Sequence, residues 1–251
     1  MAAPTRLGLE TILVMGLSLG RSGVYALISL MESYSRGPLA QQTTTLNPSL
    51  SSQPVFDLVY QLLGIFFGLF PVALGLYLIG IDTPRVGRHL GCDGSRIGHD
   101  VTWGLGLAAF IGIPGMGLYL LAHSFGVNLT VATSGLTPAW WVGLVLVLAA
   151  IKNAVLEEVL VVGYLAERLN RLSWGPVGII LISSFIRASY HLYQGWGGFL
   201  GNLVMGVIFM SFYLKWRRLW PLIIAHGLID IVAFIGYSYL PPHWLNALGI
   251  G

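Results

Sequence analysis

The sequence predicts an all-α polytopic bundle of about seven transmembrane helices. Three observations predict it. First, 55% of the 251 residues are apolar, only 9% are charged, and the mean hydropathy is +0.77. Soluble domains usually carry about 25% charged residues, so this chain cannot clothe a water-facing surface, and lipid is the expected solvent. Second, seven apolar segments, at roughly 11–31, 55–81, 102–122, 139–161, 175–191, 196–214 and 220–240, reach or approach the length of about 20 residues that spans a bilayer. Third, the basic residues alternate between connections. With the N-terminus in the cytoplasm, nine of the 13 Lys and Arg fall in inside segments, only Arg36 falls outside, and Arg21, Lys152 and Arg187 lie within apolar segments. This is the positive-inside pattern for an N-in, C-out chain.

Taken in order, segment one reads as a retained span, because no small-residue cleavage site follows a basic start. The connection "ESYSRGPLAQQTTTLNPSLSSQP" after it is rich in Ser, Thr, Gln and Pro and reads as a flexible loop. The connection beginning "DTPRVGRHLGCDGSR" carries the most charge. Tryptophans 103, 140, 141, 174, 196, 220 and 244 mostly mark segment ends, as an aromatic belt does. There is no internal repeat. The first three segments and their loops, 1–138, read as accessory, 139–240 as the core that carries the chemistry, and 241–251 as a short tail. One cysteine, Cys92, excludes an internal disulfide. The net charge of +3 comes without any basic run or aromatic–basic interleaving, so nucleic acid is not an expected partner. Two lysines against eleven arginines are compatible with a high-GC bacterial genome, and a bacterial cell membrane is the expected location.

Ionisable groups at membrane depth are rare and face a bundle interior or a watery cavity. Here they are Arg21, Asp57, Lys152, Glu157, Glu158, Arg187, His191, His226 and Asp230. Arg21 and Asp57 read as a supporting pair between the first two spans. Glu157 and Glu158 fall near the inner end of segment four. As helix neighbours they point about 100° apart, so at most one aims squarely into a given site. Arg187 and His191 share a face of segment five, and His226 and Asp230 share a face of segment seven, each pair four residues apart. Asn202 on segment six can add a hydrogen bond. For Glu157 to meet His191, segment four must run on or segment five must be short. Acid and imidazole groups on three helices look like a reaction centre. A carboxylate with an imidazole can activate water, a second imidazole can hold an oxyanion, and Glu157, His191 and His226 could instead ligate a divalent metal such as zinc. Ser183, Ser184 and Ser189 near His191 leave a serine nucleophile open, without any GxSxG pattern to support it.

The order "EEVLVV" (157–162), "RASYH" (187–191) and "HGLID" (226–230) resembles the CPBP family of intramembrane glutamic endopeptidases, which includes type II CAAX prenyl proteases and bacteriocin-processing, abortive-infection-like proteins. The family pattern is EExxxR, FxxxH and HxxxN or HxxxD, and the resemblance covers about 139–240. It implies a membrane endopeptidase acting on a membrane-associated protein or peptide. Glu157 would be the principal base with His191, Glu158 would support the site or bind substrate, and His226 with Asp230 would form the oxyanion side. No cofactor is required in that reading. Two positions depart from the pattern: Val162 stands where the motif arginine belongs, and Arg187 stands where the motif phenylalanine belongs, as though the guanidinium had moved from one helix to the next. Asp230 in place of Asn must be protonated or must orient His226. The alternatives are an inactive membrane scaffold of the same fold and, behind it, an ion-coupled transporter.

Overall fold

The computed structural model describes residues 3–236; the end of the seventh apolar segment, Trp244 and the 241–251 tail lie outside the described residues. Among the described residues the chain forms seven helical rods, one for each apolar segment. They are α1 (Pro4–Arg36), α2 (Pro54–Asp82), α3 (Gly94–Ser124), α4 (142–171), α5 (Pro176–Ser189), α6 (Trp196–Trp216) and α7 (Trp220–Gly236). Four of them, α1, α2, α3 and α6, are long and apolar enough to cross a membrane, while α5 and α7 are shorter apolar helices. The protein is an all-α helical membrane bundle. Only 17% of the apolar window of α2 and 11% of that of α3 is buried, so these two rods present Phe66, Phe67, Phe70, Phe110 and Ile113 outward to lipid.

Local signals set the rod ends. Pro54 follows extended Gln53, and Pro176 follows extended Gly175, each at the first helical position where a missing N–H costs nothing. Arg217 closes α6 in the left-handed conformation at φ 52°. α1 is kinked at Ser18, whose hydroxyl donates to the Val14 carbonyl at 2.6 Å.

α4 differs from its expected length. It does not stop near 161: α-helix Val142–Glu157 continues through π-helical turns Glu158–Tyr164 into α-helix Leu165–Arg171. Every residue of the π segment is buried, and Leu160, Val161, Val162 and Tyr164 join Ile79, Phe209 and Leu222 in the main core. A helix that is apolar all round belongs at the centre of a bundle, and α4 occupies it. The glutamates therefore lie in the middle of a rod rather than at its end.

The connections segregate to two ends. At the arginine-rich end, Arg171 donates to Asp82 at 2.8 Å and to Thr83 at 2.7 Å, His89 meets Glu167 at 2.9 Å, and Arg218 binds Asp93 at 2.7 Å and, more closely, Asp100. At the other end, β1 (Thr43–Thr45) pairs in parallel with β2 (Thr130–Ala132), Trp196 donates to Tyr34 at 2.9 Å, and the Asn128 side-chain oxygen Oδ1 accepts from Gly197 N–H at 2.9 Å. The loop after α1, read as flexible, is thus pinned by a strand. Segregation of these connections follows the alternation of basic residues in the sequence.

Two features fix the arginine-rich end. Gly91 sits at φ +71°, and a Cβ there would lie 2.2 Å from the Arg217 carbonyl oxygen, a backbone atom that cannot yield. Gly91→Ala is expected to cost about 2 kcal/mol or more, seen as a lower midpoint of thermal unfolding in detergent. Asp93, in the same loop, is held down to about 2 by the Ser95 hydroxyl and by Arg218. A depressed carboxylate stabilises the fold above its ordinary pKa and loses that contribution as pH falls through about 2, so this clamp is insensitive to pH near neutrality.

Candidate active site

The three polar segments of α4, α5 and α7 meet halfway along α4. α5 is only 14 residues long and ends at Ser189, so His191 sits in the turn beyond it, level with the middle of α4 rather than at a far membrane face. The long α4 and the short α5 together bring His191 to Glu157. The His191 Nε2 atom lies 3.9 Å from Glu157 Oε2.

Both glutamates enter the same cluster, although helix neighbours point about 100° apart. Two forked groups explain it. The Arg187 guanidinium gives Nη2 to Glu158 Oε1 at 2.7 Å and Nη1 to Glu157 Oε2 at 3.4 Å. The His226 ring sets Nδ1 against Glu158 Oε1 at 2.7 Å and turns Nε2 toward Glu157 Oε2 at 4.0 Å and Asp230 Oδ2 at 3.7 Å. Each cation-capable group turns two of its nitrogens to the glutamates and so reaches two side chains that leave the helix at different angles. The helix also switches to i→i+5 bonding at Glu158, which changes the angle between successive side chains. Glu158 and Arg187 are fully buried and Glu157 nearly so. A buried carboxylate without a partner costs several kcal/mol, and these two are kept by Arg187 and His226. Arg187 also lies over the Phe209 ring at 5.4 Å.

His226 is oriented by Glu158, not by Asp230, since the 2.7 Å contact is to the glutamate. Asp230 Oδ2 stands farther off, 3.7 Å from His226 Nε2, and Lys152 donates to the Asn153 side-chain oxygen. Asn202 is not brought to the cluster: its amide donates to the Gly198 carbonyl within α6 at 3.0 Å. The expected Arg21–Asp57 pair does not form. Asp57 is bonded by Leu50 N–H, Ser49 and Gln61 at 2.8 to 3.2 Å, and Arg21 lies over the Tyr25 ring.

The serine hydroxyls are engaged elsewhere. Ser183 donates to the Val161 carbonyl, in the π segment of α4, at 2.9 Å, while Ser184 and Ser189 donate to carbonyls of their own helix. Tyr190 was not singled out in the sequence, yet its hydroxyl donates to Glu157 Oε2 at 2.7 Å. Only its place beside His191 in "RASYH" marked it. Among the described residues no group of three or more His, Cys, Asp or Glu is arranged to hold a metal ion. Glu158 is already bound by Arg187 and His226, and Glu157 by Tyr190 and Arg187.

Three buried polar atoms of the cluster have no hydrogen-bond partner: Glu158 Oε2, Arg187 Nε and His191 Nε2. The last faces the open side of Glu157. Gaps of 3.9 and 4.0 Å between these polar atoms are lengths that one water bridges, accepting from a ring N–H and donating to the carboxylate.

Residues 138–232, which hold every member of this cluster, match the family model of the type II CAAX prenyl endopeptidases, Rce1-like. No curated protein matches the chain, and no solved structure does. The cluster of two glutamates and two histidines thus lies within the residues that are similar to the Rce1-like type II CAAX prenyl endopeptidases.

Proposed function

We propose that the protein hydrolyses a peptide bond of a membrane-associated substrate with a water molecule activated by Glu157 and His191. The observation that carries this reading is the unpartnered, buried His191 Nε2 atom facing Glu157 Oε2 across 3.9 Å. A buried polar atom without a partner is costly, and a water between the two groups removes that cost while placing a nucleophile. The Gln194 amide lies 3.4 Å from His191 Nδ1 and donates to it, which leaves the ring proton on Nε2. The water then accepts from His191 Nε2–H and gives its own proton to Glu157 as its oxygen attacks the substrate carbonyl carbon. His226, held at Nδ1 by Glu158, donates from Nε2 to the oxyanion that forms. As the C–N bond breaks, Glu157 returns the proton to the departing amine, and the products are an acid and an amine. Arg187 and Glu158 do not touch the substrate in this scheme. They are positioning residues that hold Glu157 and His226.

The family name points to a prenylated C-terminal CAAX segment as the substrate. The test is a reconstituted assay in which proteoliposomes of the full chain receive a farnesylated CAAX peptide and products are read by mass spectrometry. Release of the terminal tripeptide is expected, and it should persist in a zinc chelator. Loss in chelator with rescue by zinc would reassign Glu157, His191 and His226 as ligands. By the positive-inside rule we place the arginine-rich end in the cytoplasm.

A further inference from the structure

A cavity of about 610 Å³ opens between α1 and the cluster of α2, α4 and α5. Leu156 and Tyr190 form part of its wall. Leu156 precedes Glu157, and Tyr190 donates to Glu157, so one side chain separates this space from the reacting carboxylate. The facing wall is α1, which bends at Ser18 and presents Ser18, Arg21, Ser22, Tyr25 and Ser29 along one stripe. A polar stripe on a lipid-embedded helix needs an aqueous or polar ligand opposite it.

Arg21 is the anomaly of that stripe. It lies 15 residues from the Arg36 end of α1, about 22 Å at 1.5 Å per residue, too far for its side chain to reach water there. Among the described residues no acidic side chain pairs with it, and its one recorded neighbour is the Tyr25 ring at 5.4 Å. The close seating of α1 is enforced next to it: a Cβ on Gly23 would lie 2.6 Å from Ser189 Oγ at the end of α5. An arginine held in an apolar span, beside a cavity and without a counter-ion, is a site for an anion. Its fork fits a carboxylate with two parallel hydrogen bonds.

We infer that this cavity is the substrate groove and that Arg21 binds a carboxylate of the peptide being cut, its free C-terminus. The inference rests on the peptidase reading above. It adds to the reaction a specificity residue from α1, outside the family-matched residues 138–232. Apolar Leu17, Leu19, Pro71 and Leu156 receive the side chains near that terminus.

The test uses the full chain in phosphatidylcholine nanodiscs and a fluorescent farnesylated peptide, made as the free acid and as the C-terminal amide. Binding is read by anisotropy on the Glu157→Gln protein, which does not require turnover. The free acid should bind at least about tenfold more tightly than the amide, the size of one charge-assisted contact. Arg21→Gln should erase that difference while amide binding stays as it was, and Arg21→Lys should keep part of it. In the cleaving enzyme, Arg21→Gln should raise KM for the acid and leave kcat near its starting value. Unchanged amide binding shows that the variant is folded. Equal binding of acid and amide, binding of neither, or an acid preference that survives Arg21→Gln overturns the inference. So does Arg21-dependent binding of phosphatidylglycerol that abolishes the preference, since the anion would then be a lipid phosphate. Cleavage that persists in Glu157→Gln sinks the peptidase reading separately, whatever the binding shows.

Discussion

Glu157→Gln should leave the bundle folded and lower the rate of peptide hydrolysis by about 10²–10⁴-fold, the usual worth of a positioned general base. The amide has the shape of the carboxylate but cannot take a proton from water. Tyr190 can still donate to its oxygen, and Arg187 keeps its 2.7 Å contact with Glu158, so the neighbours remain seated. Single-turnover cleavage measured beside thermal unfolding separates chemistry from folding. An unchanged rate would remove Glu157 from the reaction and favour a scaffold that keeps the fold without the chemistry. The two histidines should divide on the same pair of measurements. His191→Ala should abolish cleavage at little cost in stability, because the Nε2 atom it removes has no partner. His226→Ala should lower both, because it also frees Glu158.

Arg187 carries the second large effect. Arg187→Met removes the one guanidinium that bridges both glutamates, leaving the fully buried Glu158 to His226 alone. Breaking a buried ion pair by deleting one partner costs about 3–5 kcal/mol, so the variant should unfold at a markedly lower temperature and lose activity with it. Val162 gives the way to test where the charge must sit. It is buried, four residues beyond Glu158 on the same side of α4, and it is the position at which the family pattern carries its arginine. Arg187→Phe should behave like Arg187→Met. Adding Val162→Arg to it should restore a large part of the stability, because a guanidinium again faces Glu158 from within α4. A double variant no more stable than Arg187→Phe alone would mean that the two positions are not interchangeable.

The residues of the candidate site were legible in the sequence because each breaks a rule of its surroundings. Glu157, Glu158, Arg187, His191, His226 and Asp230 are ionisable groups in apolar segments, and the structure gathers all six. Asn202 breaks no rule, since its amide can satisfy itself on its own helix, and it stays apart. Tyr190 could not be read because a tyrosine near a membrane segment's end is ordinary; only its 2.7 Å contact with Glu157 gives it a place. Arg21 was legible as a cost but not as a site, for the partner assigned to it, Asp57, is held by Ser49, Leu50 and Gln61 instead.

By itself the sequence determined that this chain dissolves in lipid, that it makes seven apolar rods, and which ends of those rods share a side. Those properties depend on composition and period, which are local sums along the chain. Only the tertiary structure decided the depth at which the chemistry lies. Whether α4 stops at residue 161 or runs through π turns to Arg171 depends on how completely its neighbours bury it, and whether α5 stops at Ser189 depends on what receives His191. "EE" therefore reads as the end of a helix in one dimension and stands in the middle of one in three. Two adjacent carboxylates are held there because Arg187 and His226, distant in sequence, each reach both.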